Sequence, residues 1–218
     1  MRTIVLFFMC VSIVFGQNNL EASPGSVISD SFVLAQGDCV WMYFSPVEKN
    51  HVSCESAVIC QIASAKSSLK IQMYTFTSQP ILKAVLAAQA RGVKVEVILD
   101  KSQLHVKGGV AQSLLAKSVP TWVDCKHAIA HNKIMIVDEI EVFTGSYNYS
   151  YAAEHTNAEN LIVMTNASAV SIYEKNYNLH KAHSVVLTAD LLKVKSKKKP
   201  VKKVVRQYRS RYGAHKRK

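Results

Sequence analysis

Residues 69–100, LKIQMYTFTSQPILKAVLAAQARGVKVEVILD, decide the fold class. Leu69 to Phe76 reads as a buried strand: it is short, apolar and rich in β-formers. Ser78 is a helix N-cap with Pro80 in the first turn, the one place a helix accepts proline. Ile81, Val85 and Ala88 then share one helix face, and Gly92 ends the helix. Val93 to Leu99 alternates as a second strand and closes on Asp100. Strand, helix and strand in so short a span predict a βαβ unit with a parallel pair.

The same alternation continues on both sides. Upstream, Val40 to Phe44 is a short strand closed by Ser45-Pro46, and Ser53 caps a helix to about Ser67, with Val58, Ile62 and Ala65 on one face. Downstream, a Gly108-Gly109 break opens a helix to about Lys117, and Thr121 to Asp124 is a short strand. Lys133 to Val137, Glu141 to Phe143 and Asn160 to Met164 are strand-like. Ser168 starts a helix reaching about His183. No internal repeat is visible. The pattern predicts an α/β/α sandwich around a mixed sheet, occupying residues 38–192, with residues 17–37 a polar lead-in.

The two ends differ from this body. Arg2, the apolar run Thr3 to Phe15, Gly16 and a polar sequel read as a secretory signal over residues 1–16; an uncleaved membrane anchor is the alternative, although the run is short for a span. The chain has 218 residues, 27 Lys+Arg and 15 Asp+Glu, a formal net charge of +12. Thirteen of those cations, and no acid, lie in residues 193–218. The other 14 cations face 15 acids, so the body is near neutral and the charge is a tail. Such a block is expected to be disordered when free and to bind polyanions, nucleic acid or anionic membrane. Tyr208 and Tyr212 are possible stacking groups. An apolar content of 49% excludes wholesale disorder.

Past the signal, Cys39, Cys54, Cys60 and Cys125 allow three pairings in an exported protein. Cys39 with Cys54 is favoured, and Cys60 reads as a core thiol. A zinc site using His51 is the other possibility, but Cys39-x11-His51-x2-Cys54-x5-Cys60 fits no common pattern. No metal or cofactor is expected.

The chemistry lies in residues 131–138. His131 and Lys133 stand two apart at the start of a strand, so their side chains share a face, opposite Asn132, Ile134 and Ile136. A His beside a fixed Lys suits a phosphate: the ammonium neutralises oxygens, and the imidazole attacks or transfers a proton. The next strand ends in Gly145-Ser146-Tyr147-Asn148. Ser146 and Asn148 share a face and offer a hydroxyl and an amide, and Gly145 permits close backbone approach. Glu159 is placed to hold a His tautomer. His127 is a weaker candidate for the cleft; His51, His105, His155, His180, His183 and His215 read as surface or packing residues. Tyr147, Tyr149 and Tyr151 either touch substrate or pack the following helix.

Taken together, His131-x-Lys133-x4-Asp138-x6-Gly145-Ser146-x-Asn148, with Glu159-Asn160 downstream, resembles the HKD signature of the phospholipase D superfamily. The likeness extends through Tyr43-Phe44-Ser45-Pro46, Tyr74-Thr75-Phe76-Thr77-Ser78 and Ala90-Arg91-Gly92-Val93-Lys94-Val95, over residues 39–183. It points to the single-motif branch: Nuc-type bacterial endonucleases and exported phospholipase D-like proteins. The animal mitochondrial cardiolipin hydrolases lie nearby, but their Cys/His zinc insertion does not map onto this chain.

The resemblance implies a metal-independent phosphodiesterase. Because the chain carries one motif, two chains are expected to face one phosphate as a homodimer. One His131 forms a phosphohistidine and the other serves as acid and base. Lys133, Asn148 and Ser146 hold phosphate oxygens, Glu159 orients His131, and Asp138 is structural. Nucleic acid is the favoured substrate and a phospholipid head group the alternative. A non-catalytic binding module is disfavoured by the intact residue set. Export to the periplasm or medium is expected.

Overall fold

The computed structural model describes residues 30–34 and 38–193. The signal segment and almost all of the basic tail lie outside these residues. Among the described residues, nine strands form one mixed sheet in the order β1-β2-β8-β7-β6-β3-β4-β5-β9. In chain order the strands are β1 (Asp30–Leu34), β2 (Asp38–Ser45), β3 (Ser68–Met73), β4 (Lys94–Asp100), β5 (Thr121–Asp124), β6 (Lys133–Val137), β7 (Glu141–Gly145), β8 (Glu159–Met164) and β9 (Val185–Val186). The helices are α1 (Cys54–Ser64), α2 (Gln79–Ala90), α3 (Ala111–Ala116), α4 (Tyr151–His155), α5 (Ala167–His183) and α6 (Ala189–Lys193).

β3 pairs in parallel with β4, and β4 with β5, as the βαβ reading requires. The other pairings between these strands are antiparallel. Alternate residues of the central strands feed two cores. Leu69, Ile71, Met73, Val95, Val97, Leu99, Met135 and Val137 pack with Val58 and Ile62 of α1 and Ile81 and Val85 of α2. Ile98, Ile134, Ile136 and Val142 point the other way, to Val170 and Tyr177 of α5. Helices therefore cover both sheet faces, and the period-2 alternation decides which residue serves which core.

Several boundaries differ from expectation, each for a local reason. α1 stops at Ser64 rather than Ser67. The amides of Lys66, Ser67 and Ser68 are taken by the Asp138 carboxylate at 2.7–3.2 Å, so they are not available to a helix. β3 ends at Met73 rather than Phe76. The Tyr74 N–H donates to the Asn132 carbonyl, and Thr77 and Ser78 donate to Tyr149, which pulls the chain out of the sheet. α5 is capped by Asn166, whose Oδ1 accepts the Ala169 N–H at 2.8 Å, so Ser168 lies inside the helix. Part of the expected polar lead-in, Asp30–Leu34, is an edge strand on β2.

The Cys39–Cys54 pairing is not formed. Cys54 is a free buried thiol at the start of α1, and burial, followed by the charge of Glu154, pushes its pKa up to about 12. Cys60 is exposed rather than in the core. Six residues along a helix turn it well away from Cys54. No helix among the described residues is long and apolar enough to cross a membrane.

Candidate active site

Strand direction brings the chemistry to one sheet edge. β6 is the central strand. Its first residue, Lys133, is opposite Met73 at the end of β3, and Ile134 is opposite Thr144 near the end of β7. Gly145 is opposite Leu161 near the start of β8. The ends of β3 and β7 and the starts of β6 and β8 therefore meet. An open cleft of about 840 Å³ lies there, lined by His131, Lys133, Ser146, Asn148 and Glu159, with Asn132, Thr144, Asn160, Tyr173 and Asn176 around them. The five residues given catalytic or phosphate-binding roles from sequence line one cleft together with Gly145, whereas Asp138 lies outside it.

His131 is exposed and Lys133 is 7% exposed. Lys133 Nζ lies 2.9 Å from His131 Nδ1 and donates to the His131 carbonyl at 2.7 Å. It also sits over the Tyr74 ring, 5.1 Å from the centroid, while Tyr74 and His131 pack at 4.5 Å. Burial lowers the Lys133 pKa, and the Glu159 charge partly restores it. The ammonium is thus poorly solvated, which raises its attraction for an arriving anion.

Gly145 has φ +137°, and a Cβ there would lie 2.4 Å from the Asn160 carbonyl oxygen. That close approach is the reason for glycine. It lets the Ser146 and Tyr147 amides donate to that carbonyl at 3.1 and 3.2 Å, and the Asn160 N–H donate to Ser146 Oγ at 3.0 Å. Ser146 keeps its hydroxyl hydrogen for an anion. Asn148 Oδ1 accepts the Thr75 N–H at 3.2 Å, which leaves its Nδ2 as a donor.

Glu159 lines the same cleft, but it accepts from Asn157 Nδ2 at 3.0 Å rather than from His131. The expected Glu159–His131 hydrogen bond is replaced by the Lys133 contact at Nδ1. Asp138 is spent on the backbone: besides the three amides it accepts the Ser67 hydroxyl at 2.9 Å. Burial opposes its ionisation, but these donors outweigh it and hold its pKa down at about 2. Tyr147 and Tyr149 are buried packing residues, Tyr147 donating to Glu154 at 2.7 Å, whereas Tyr151 is exposed. His127 is not among the cleft residues. It turns instead to Asp124, together with His180 and His183, and these four are the group of described residues able to hold a metal ion. Sequence reasoning gave no role to Tyr74, Tyr173 or Asn176. Tyr74 carried a usable signal, an aromatic residue just past the strand beside His131, but α5 reaches the cleft only through tertiary packing.

Comparison with known proteins identifies the family. Residues 58–180 match the family model described as "Cardiolipin synthase, PLD-like domain". A protein named phospholipase D from Rickettsia prowazekii is 32% identical over 164 residues, 72% of this chain and 80% of that protein. The mitochondrial cardiolipin hydrolase of Xenopus tropicalis is 30% identical over 125 residues, 57% of this chain and 60% of that protein. Among solved structures, the phospholipase D family member Nuc from Salmonella typhimurium superposes with a TM-score of 0.63 at 30% identity, covering 68% of this chain and 97% of that one. NucT from Helicobacter pylori shares the fold, with a TM-score of 0.60 at 24% identity, over 68% of this chain and 99% of that one. With His131 and Lys133 joined at one cleft on this fold, the chain belongs to the phospholipase D superfamily and is a phosphodiester hydrolase.

Proposed function

We propose that the protein cleaves phosphodiester bonds of nucleic acid through a phosphohistidine at His131, in a site shared by two copies of the chain. The observation that carries the reading is the exposed His131 ring clamped at Nδ1 by a nearly buried Lys133. Nε2 takes no hydrogen bond from the described residues.

With Lys133 donating to Nδ1, the ring proton sits on Nε2. An entering phosphate draws Lys133 Nζ onto its own oxygen, and the proton can then move to Nδ1, with Glu159 in the same cleft to stabilise it. Nε2 attacks phosphorus, and the bond from phosphorus to the leaving oxygen breaks. The His131 of a second copy protonates that oxygen, then takes a proton from the water that hydrolyses the phosphohistidine. Lys133, Ser146 and Asn148 donate to the non-bridging oxygens. A single chain supplies only one such histidine, so the reading requires a two-fold pair of chains. No divalent ion enters these steps, so added magnesium is expected to leave the rate unchanged.

Nucleic acid is favoured by the polar lining of an open cleft and by 13 cations without an acid in residues 193–218. The second reading, a phospholipid head group, is favoured by the names of the curated relatives and by the exposed Ile172 at the cleft. With the apolar run at residues 3–15, either substrate would be met after export. The test sets supercoiled plasmid and single-stranded RNA beside phosphatidylcholine and cardiolipin vesicles, and traps the enzyme by acid-labile phosphorylation. Nucleic-acid cleavage with a phosphoenzyme that His131→Ala abolishes is expected. Turnover of the vesicles alone would overturn the substrate, and full turnover by His131→Ala would overturn the mechanism.

A further inference from the structure

Away from the cleft lining, at the carboxyl end of β5, Asp124 gathers three histidines. Asp124 Oδ2 lies 2.8 Å from His127 Nδ1, 3.1 Å from His180 Nδ1 and 3.0 Å from His183 Nε2. The four ligand atoms all lie within 4.8 Å of one another. The three rings pack mutually, with centroids 4.9–5.1 Å apart. Asp124 is fully buried, and the side chains of His180 and His183 are 16% and 17% exposed. These two histidines, expected to be surface or packing residues, are instead convergent neighbours one turn apart on α5.

Hydrogen bonding alone does not satisfy this arrangement. A carboxylate oxygen offers about two acceptor sites. Asp124 Oδ1 already accepts the amides of Lys126 and His127, at 2.9 and 3.3 Å. Three imidazole nitrogens then crowd onto Oδ2 alone. A divalent ion at the centre resolves the crowding, because each nitrogen then offers a lone pair to the ion rather than a proton to the oxygen. Zinc–nitrogen and zinc–oxygen bonds of about 2.0–2.2 Å in a tetrahedron put ligand atoms roughly 3.3 Å apart, a few tenths of an ångström beyond the oxygen–nitrogen distances found. Three imidazoles and one carboxylate suit zinc or a similar borderline divalent metal, not magnesium or calcium.

We propose that Asp124, His127, His180 and His183 form a tetrahedral zinc site. Four protein ligands close the coordination sphere, so the metal is structural rather than hydrolytic. It joins the end of β5 and the last turn of α5 to the loop carrying His127, four residues before His131. That loop is held from the other side by Asp100, whose Oδ2 accepts the Ala130 N–H at 2.7 Å, and by Lys101 donating to the His127 carbonyl. The metal thus braces the chain that delivers the nucleophile.

The full chain, purified without chelator, is dialysed and its metal counted, then treated with EDTA and titrated with zinc chloride or magnesium chloride. About one zinc per chain is expected, with a Tm that falls by roughly 10 °C on stripping and returns with zinc but not with magnesium. Cobalt loaded in place of zinc is expected to give the intense visible absorption of a four-coordinate site. His180→Gln with His183→Gln should lose both the equivalent and the Tm response, while His131→Ala should keep them. A stripped chain whose Tm ignores zinc, a pale six-coordinate cobalt spectrum, or binding lost in His131→Ala but kept in the α5 double variant would each overturn the site. The cobalt spectrum needs no variant, so a double variant that fails to fold leaves the proposal open to refutation.

Discussion

At Gly145 one hydrogen atom separates a working site from a blocked one. A methyl group there meets the Asn160 carbonyl at 2.4 Å, and the φ of +137° is strained for any L side chain. Gly145→Ala is expected to destabilise the chain by roughly 2–4 kcal/mol, read by urea unfolding. A variant as stable as the parent would show that the Gly145–Asn160 contact gives way. Asp138 carries a different kind of stability. Its folded pKa is depressed to about 2, below the ordinary carboxylate value, so its contribution is fully present above about pH 4 and is lost as the pH falls from there through about 2. Solvent reaches part of the carboxylate and screens it, which leaves a contribution of about 1 kcal/mol. Asp138→Asn should remove that share of the acid-induced loss, visible as a shallower fall of unfolding free energy below pH 4. The His131, Lys133, Ser146 and Asn148 pattern was legible because it is local: the four lie at, or within three residues of, the facing ends of two adjacent strands, β6 and β7. The Lys133–Nδ1 contact was not legible, since it depends on the Tyr74 ring that steers both groups.

At the scale of elements, the central strands were readable because burial leaves a period. β3 and the first half of β4 alternate apolar with polar residues, β6 carries an apolar run, and α2 carries its cap, its proline and its terminal glycine in order. β9 spans two residues and α4 and α6 five each. These are too short to show any period, although Ser150 and Thr188 accept the Ala153 and Leu191 amides at the starts of α4 and α6. The ligands of the proposed zinc site were hidden for another reason: 56 residues separate Asp124 from His180. α1 offers a prediction of its own. It buries Cys54 and exposes Cys60, and the Cys54 thiol, near pKa 12, is almost never a thiolate at neutral pH. Brief iodoacetamide treatment of the native chain, mapped by mass spectrometry, should modify Cys60 and spare Cys54 until urea is added. Early modification of Cys54 would mean that the start of α1 opens in the native state.

For the whole molecule, charge and chemistry separate. The described body has little net charge to attract a polyanion, so the proposed nucleic-acid reading assigns long-range grip to residues 193–218. Truncation after Leu192 should weaken binding to nucleic acid and flatten its dependence on salt, because each phosphate neutralised releases about one counterion. It should leave turnover of a short dinucleotide substrate unchanged, since Lys133 lies in the body. The proposed two-chain site makes a sharper demand. If nucleophile and acid come from different copies, a dimer holding one His131→Ala chain lacks one of the two roles in every orientation. Co-expressing parent and His131→Ala chains equally, with distinct tags, gives parent pairs as about one quarter of dimers under random association. Total turnover should then be about one quarter of the all-parent preparation, and mixed dimers purified through both tags should be inactive. Independent sites would instead retain about one half, with mixed dimers half-active. One quarter therefore requires both histidines at one phosphate, while one half returns the whole reaction to a single chain and its own Glu159.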